Sequence, residues 1–119
     1  MSVQIVLDLT DDFNADSLVQ IDTGGFDYAV AQIVSPMEVI IFKHSNDSGA
    51  IQSVSDGNAT SATNFVAVQG VDLSSGTAVT SLAVDGLVRF QSVGRYLQFS
   101  STSSSVVVGK LLVRLYKIH

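Results

Sequence analysis

The 119-residue chain lacks cysteine and tryptophan, has one proline, Pro36, and carries few charges. Without cysteine it has neither a disulfide framework nor a thiolate metal site. Charged residues make up 14% of the chain, whereas proteins average about 25%, so another residue type must supply surface polarity. Serine and threonine supply it, with 17 and 7 residues. We expect such a neutral, hydroxyl-rich surface to pack against another protein or a sugar.

Long hydrophobic runs are absent as well. No run approaches the roughly 18 apolar residues of a membrane span, and the residues that follow Met1 lack the basic region of a secretory signal. We therefore expect no membrane partner and no signal peptide. The length suffices for one hydrophobic core, which predicts a single domain over residues 1–119.

The net charge of −5 is unevenly distributed along the chain. Residues 1–85 hold all 11 acidic residues and Lys43 as their one base, and the other five bases lie in residues 86–119. These charges either complement each other across paired first and last strands or form a two-signed surface that favours association between copies. Nucleic acid is not expected as a partner, because the bases are few, the chain is acidic and the aromatics are not interleaved with the bases.

The strongest structural signal is the segment Val106–Ile118. Apolar side chains alternate there with a period of two, and β-branched residues are enriched, which predicts a strand rather than a helix. Leu111, Val113 and Leu115 form one apolar face. A strand this apolar has to be paired along its edges and covered on at least one face.

Shorter alternating runs predict further strands, separated by turn signals about every 8–12 residues. Thr10–Asp16 is predicted as a polar loop, and Asp85-Gly86 as the turn of a hairpin. No segment of about ten residues keeps a helical period with a cap. The pattern predicts an all-β, antiparallel sandwich of about 8–10 strands with jelly-roll-like links between two sheets. The predicted strands cover residues 3–9, 18–22, 26–34, 37–43, 50–54, 65–69, 77–84, 87–91, 96–99 and 106–118.

A metal site is not expected. Asp11, Asn14 and Asp16 resemble part of a calcium loop, but their spacing does not fit the repeating aspartate pattern and no later glutamate closes the loop. Solvated carboxylates in a turn are the better interpretation.

Catalysis is not expected either. His44, in a predicted turn, and His119, the last residue, are the two histidines, and the chain has no Gly-x-Ser-x-Gly motif. A carboxylate pair for glycoside hydrolysis would have to come from aspartates that mostly occupy turns. We assign no catalytic, cofactor-binding or metal-binding residues. An enzyme would need a cleft that holds His44 or an aspartate pair.

The end of the chain resembles a known class of virion proteins. Residues 85–90, the segment Val93-Gly94-Arg95-Tyr96-Leu97-Gln98-Phe99, the Ser/Thr loop after it and Val106–Lys117 are similar to the C-terminal half of capsid cement (decoration) proteins of tailed bacteriophages. That resemblance implies a jelly-roll fold and a place on the capsid surface of the virion. It implies binding to the major capsid protein across capsomer contacts, as a homodimer or homotrimer, without a cofactor. The aspartate-rich front half departs from the family pattern.

A tail or fibre component that binds host carbohydrate is the alternative. It predicts a concave site with exposed aromatic rings, with Tyr28 and Tyr96 as candidates. Both tyrosines lie on predicted strands with alternating neighbours, which favours a core or interface role for them.

Overall fold

The computed structural model describes residues 2–46, 64–91, 95–101 and 108–118, which form eleven strands and one short helix. The strand predicted at 50–54 and residues 106–107 of the last predicted strand lie outside the described residues. The elements are β1 (Ser2–Asp8), α1 (Thr10–Asp16), β2 (Leu18–Asp22), β3 (Tyr28–Val34), β4 (Ile40–Ser45), β5 (Val66–Ala67), β6 (Gly70–Asp72), β7 (Thr77–Val79), β8 (Ser81–Leu82), β9 (Gly86–Phe90), β10 (Tyr96–Ser100) and β11 (Lys110–Ile118).

The strands form two antiparallel sheets that pack face to face. The large sheet has six strands in the order β1-β11-β3-β9-β6-β7. The small sheet has the order β2-β10-β4-β5, with β8 also paired to β4. Buried side chains from both sheets form one continuous core between them. The all-β sandwich predicted from the alternating pattern is therefore confirmed.

Strands near the two ends of the sequence pair with each other, and each further pair lies closer to the middle of the sequence. β1 pairs with β11, β2 with β10, β3 with β9 and β4 with β8, and successive pairs alternate between the two sheets. This nested pairing is that of a long hairpin rolled into two sheets, which is a jelly roll. β5, β6 and β7 lie within its innermost connection and extend both sheets.

Three phenylalanines join the two sheets at the centre of the core. Phe42 and Phe99 come from the small sheet and Phe90 from the large sheet, and all three are fully buried. Their ring centroids lie 5.1, 5.7 and 6.1 Å apart in edge-to-face geometry. Such pairs add about 0.5–1.5 kcal/mol each beyond area burial.

The last strand is central, as its sequence predicts. β11 lies between β1 and β3, and its inward residues Leu111, Val113 and Leu115 are buried. The first strand pairs with the last over the whole length of β1, from Ser2 opposite Ile118 to Asp8 opposite Leu112.

The predicted loop at Thr10–Asp16 is wrong, because these residues form α1. Leu9 and Phe13, four residues apart, are both fully buried and anchor one helical face to the core. Asp11 and Asp12 occupy the first turn, where negative charge is favourable. No helix in the described ranges is both long and apolar enough to cross a membrane.

The predicted hairpin at Asp85-Gly86 is wrong as well. The predicted strand at 77–84 is split into β7 in the large sheet and β8 in the small sheet, while β9 pairs with β3 and β6. The Asp85 carboxylate instead accepts a hydrogen bond from the backbone N–H of Ser35, at 2.7 Å.

Candidate functional site

The outward-facing side of the large sheet carries an unusual combination of apolar and basic side chains, and we call it the outer face. Strand register places Val6, Arg114, Val30, Arg89 and Val71 opposite one another in one row across five strands. Side chains in such a row lie within contact distance of their neighbours. The outer face therefore alternates aliphatic and guanidinium groups across nearly its full width.

Two adjoining hollows on the outer face form what we call the outer groove. Their volumes are about 400 and about 380 Å³, and both are lined by Gln32, Leu73 and Leu87. Leu73 belongs to the turn after β6, and its backbone N–H donates to the carbonyl oxygen of Leu87 at 2.9 Å, which holds the turn beside the groove. The remaining lining residues are Val6, Val30, Ile33, Val34, Ser74, Asp85, Gly86, Leu112, Arg114 and Tyr116.

The rim of the groove exposes aliphatic side chains. The exposed fractions are 51% for Val6, 47% for Leu73 and 42% for Leu87. Single exposed apolar residues need no explanation, but a contiguous apolar groove is typical of a surface that binds another molecule.

An aromatic and cationic stack forms one border of the outer face. The rings of Tyr28 and Tyr116 are parallel, with centroids 4.5 Å apart, and the Arg89 guanidinium lies 4.4 Å from the Tyr28 centroid. Tyr116 comes from β11 and Arg89 from β9, on opposite sides of β3. The Tyr28 ring is thus held between a second ring and a cation.

Arg89 and Arg114 have no acidic partner in the described part of the chain. The ion pairs found there are Arg95–Asp22, at 3.2 Å, and Lys110–Asp8, at 3.7 Å. Arg114 donates to the side-chain oxygen of Gln4. Arg89 Nε is buried and has no hydrogen-bond acceptor among the residues that the structure describes. An unsatisfied buried donor is unfavourable, and a carboxylate that reaches it would remove that cost.

Two other basic side chains near the sheets, Lys110 and Arg95, are already paired with carboxylates. Hydrogen bonds from Thr10, assisted by Lys110, lower the pKa of Asp8. At one end of the small sheet, the carboxylate of Asp22 accepts two bonds from the Arg95 guanidinium, at 3.2 and 3.3 Å, and raises the pKa of Arg95. These pairs leave Arg89 and Arg114 as the cations available on the outer face.

The residues weighed for calcium binding do not converge. Asp11, Asn14 and Asp16 lie on α1, where the Asn14 side chain exchanges hydrogen bonds of 2.7 and 3.1 Å with the backbone of Val108. No group of three or more histidine or carboxylate side chains in the described ranges is arranged to hold a metal ion.

His44 lies within β4 rather than in the predicted turn. It lines a small hollow of about 130 Å³ together with Ser45, Asn46, Asn64 and Val66, none of them acidic. His119 lies outside the described residues.

The tyrosines considered for carbohydrate binding are not free platforms. Tyr96 is 7% exposed and packs against Phe65. Tyr28 is half-buried between Tyr116 and Arg89. A sugar stacking on either ring would first have to displace a neighbouring side chain.

Sequence reasoning missed the outer groove as a site. Its signal was present in part, since Leu112, Arg114 and Tyr116 alternate with the core residues of the last strand and the bases concentrate after residue 85. The contribution of Leu73 could not be read this way, because it depends on a turn that folds beside a strand distant in sequence.

The fold and the groove define an antiparallel jelly-roll sandwich with an exposed apolar and basic sheet face. No protein-family model matches the chain, and no curated protein sequence matches it significantly. Among solved structures, the crystal structure of the SPBc2 prophage-derived protein YomS has a similar fold, with a TM-score of 0.65 and 15% sequence identity. The similarity covers 98% of this chain and 93% of that one.

Proposed function

We propose that this chain is a non-enzymatic structural protein of a tailed-bacteriophage virion that decorates the capsid surface. In this role it binds the major capsid protein across contacts between capsomers. Area buried across such a joint stabilises the assembled shell, because a ligand that binds only the assembled state shifts the equilibrium towards it.

The observation that carries the proposal is the outer groove. A sheet face that exposes Val6, Leu73 and Leu87 around an apolar hollow is suited to cover by another protein. The sequence resemblance to phage cement proteins supports the same role. The fold similarity to a prophage-derived protein agrees with a phage origin.

Self-association as a homodimer or homotrimer belongs to this proposal. β1 is an edge strand of the large sheet, and Ile5 and Val6 are 42% and 51% exposed. Such an edge offers unpaired backbone groups to a strand of another copy. Several copies on a symmetric shell gain avidity without a strong single contact.

The test uses empty shells of the phage that encodes the chain. We expect the purified protein to sediment with these shells at a saturating ratio. In a second assay on DNA-filled particles, decorated particles should retain DNA at higher temperature than undecorated ones. Leu87→Ser should weaken shell binding, because Leu87 lines both hollows.

Val39 provides the matched control for that variant. It is 43% exposed, against 42% for Leu87, and it does not line the groove. Val39→Ser should bind shells as the wild type does, with the thermal midpoints of both variants recorded. Absence of shell binding by the wild type, or equal heat resistance with and without the protein, would refute the decoration role.

The carbohydrate-binding alternative makes the opposite prediction. It requires the isolated domain to bind host glycans, which the positions of Tyr28 and Tyr96 do not favour. Binding to host surface polysaccharide in the absence of shell binding would favour that alternative over decoration.

A further inference from the structure

The outer groove has a chemical preference that goes beyond its apolar character. We infer that it binds an extended partner segment in which carboxylates alternate with aliphatic side chains. The anion-binding residues are Arg114, which lines the groove, and Arg89, which lies on the outer face across β3 and outside the groove lining. This inference rests on the proposed function for the identity of the partner, the capsid protein, but its chemistry follows from the groove and the row of arginines on the outer face.

The two arginines are spaced for such a segment. Arg114 and Arg89 both lie opposite Val30, on the two strands that flank β3. Neighbouring strands are about 4.8 Å apart, so the two backbone positions are separated by roughly 10 Å. Carboxylates two residues apart on an extended segment lie about 6.6 Å apart, and flexible arginine side chains bridge the difference.

In the hollow of about 380 Å³, whose lining includes Arg114 and no acidic residue, the charges favour an acidic occupant over a basic or neutral one. Arg114 and Arg89 have no carboxylate partner among the described residues, and the buried Nε of Arg89 has no acceptor. Guanidinium groups bind carboxylates in a planar, two-bond geometry, and such charge-assisted bonds are roughly twice as strong as neutral ones. The aliphatic side chains that lie between the carboxylates of the partner segment pack against Leu73 and Leu87, which line the groove.

The same charges disfavour a second copy packed sheet to sheet. In a two-fold dimer through the outer face, Arg89 and Arg114 of both copies would meet near the centre of the interface. Like charges brought together in a desolvated interface repel each other, so such a dimer is unfavourable. The occupant therefore has to bring carboxylates of its own.

The first measurement uses a short fluorescein-labelled peptide of alternating aspartate and valine, with asparagine–valine and lysine–valine peptides of the same length as controls. Fluorescence anisotropy should show binding of the aspartate peptide that weakens as salt is raised. The asparagine peptide should bind roughly tenfold more weakly or worse. Equal binding of the aspartate and asparagine peptides would overturn the inference.

The second measurement removes the cations one at a time. Arg114→Gln and Arg89→Gln should each weaken binding of the aspartate peptide by about tenfold. Lys43→Gln is the control, because it removes the same charge from the small sheet, and it should leave the affinity unchanged. Arg114 is exposed, so its variant remains informative if the partly buried Arg89 variant loses stability. An equal loss in Lys43→Gln would show that only net charge matters and would overturn the inference.

Shell binding and light scattering complete the design. If the wild type and the double arginine variant bind shells equally, the inference fails while decoration stands. If the wild type binds the peptide through both arginines but does not bind shells, decoration fails while the groove chemistry stands. Light scattering is measured without peptide. If the wild type is an oligomer and the double arginine variant is not, the carboxylates come from a second copy, and that result would overturn the choice of partner.

Discussion

At the scale of single residues, Gly70 shows how tightly β6 and β9, neighbouring strands of the large sheet, are packed on the core side of that sheet. A Cβ atom at this position would lie 2.3 Å from Val88 Cγ1 and 2.9 Å from Phe90 Cε1. Both neighbours are fully buried on β9, so neither side chain can swing into solvent. Glycine is required here because the backbone of β6 passes directly over side chains of the core.

Gly70→Ala should lower the free energy of unfolding by about 1–3 kcal/mol, because the core would be overpacked. Chemical denaturation measures this change. In the double variant Gly70→Ala/Val88→Ala, the Cγ1 methyl group of Val88 that would meet the new Cβ is absent. The double variant should therefore lose less stability than the two single variants lose together, by about 0.5 kcal/mol or more. Strict additivity in this cycle would mean that the methyl groups do not meet.

At the scale of elements, α1 closes one end of the sandwich through polar as well as apolar contacts. The Asn14 side chain accepts from the backbone N–H of Val108 at 2.7 Å and donates to its carbonyl oxygen at 3.1 Å. The Thr10 hydroxyl accepts from the backbone N–H of Leu111 at 3.0 Å. Thus a seven-residue helix pairs with the segment that leads into the central strand.

Asn14→Ala should lower the free energy of unfolding by about 1–3 kcal/mol, since both backbone groups of Val108 lose their partner. Asp16→Ala is the matched control on the same helix, because Asp16 is exposed, and it should change stability by about 0.5 kcal/mol or less. Urea denaturation of both variants provides the comparison. Alanine has a higher helix propensity than asparagine or aspartate, so propensity cannot account for a loss. Similar losses in the two variants would show that the contact with Val108 is not the cause.

The elements also show which features could be predicted from sequence. The last strand, its pairing with the first and the jelly-roll sandwich were predictable, because period-two alternation over many residues has no competing explanation. α1 was missed because it is short and Leu9 offers no side-chain cap. The switch of sheet between β7 and β8 was missed because register with β4 decides it, and β4 lies far away in sequence.

Strand starts were harder to predict than the strands themselves. The apolar run from Met37 was predicted as part of a central strand, but Met37 is 71% and Val39 is 43% exposed, and β4 begins at Ile40. The outer groove could not be predicted from the sequence for a related reason. Its apolar residues look like core residues in the sequence, and only the layer order shows that nothing in the described part of the chain covers them.

At the scale of the whole molecule, the uneven charge along the sequence becomes an uneven charge in space. The pairing of β1 with β11 neutralises one acid against one base, through Asp8 and Lys110. It leaves the guanidinium groups of Arg89 and Arg114 on the outer face, while α1 carries Asp11, Asp12 and Asp16. The sequence left two interpretations of the uneven charge open. Complementary charges on the paired first and last strands are confirmed at one edge of the large sheet, and acidic and basic regions remain separate on the rest of the described surface.

This distribution predicts how stability depends on acid. The pKa of Asp8 is lowered mainly by hydrogen bonds from Thr10, and that of Asp72 by hydrogen bonds from Ser74. A carboxyl whose pKa is lower in the folded state stabilises the fold above its ordinary pKa of about 3.9, and that contribution is lost as the pH falls through the folded-state value. The free energy of unfolding should therefore decline below about pH 4.

Asp8→Asn/Asp72→Asn should be less stable than the wild type at neutral pH and show a shallower decline in acid. Parallel acid profiles for the wild type and the double variant would show that other carboxyls control the acid transition.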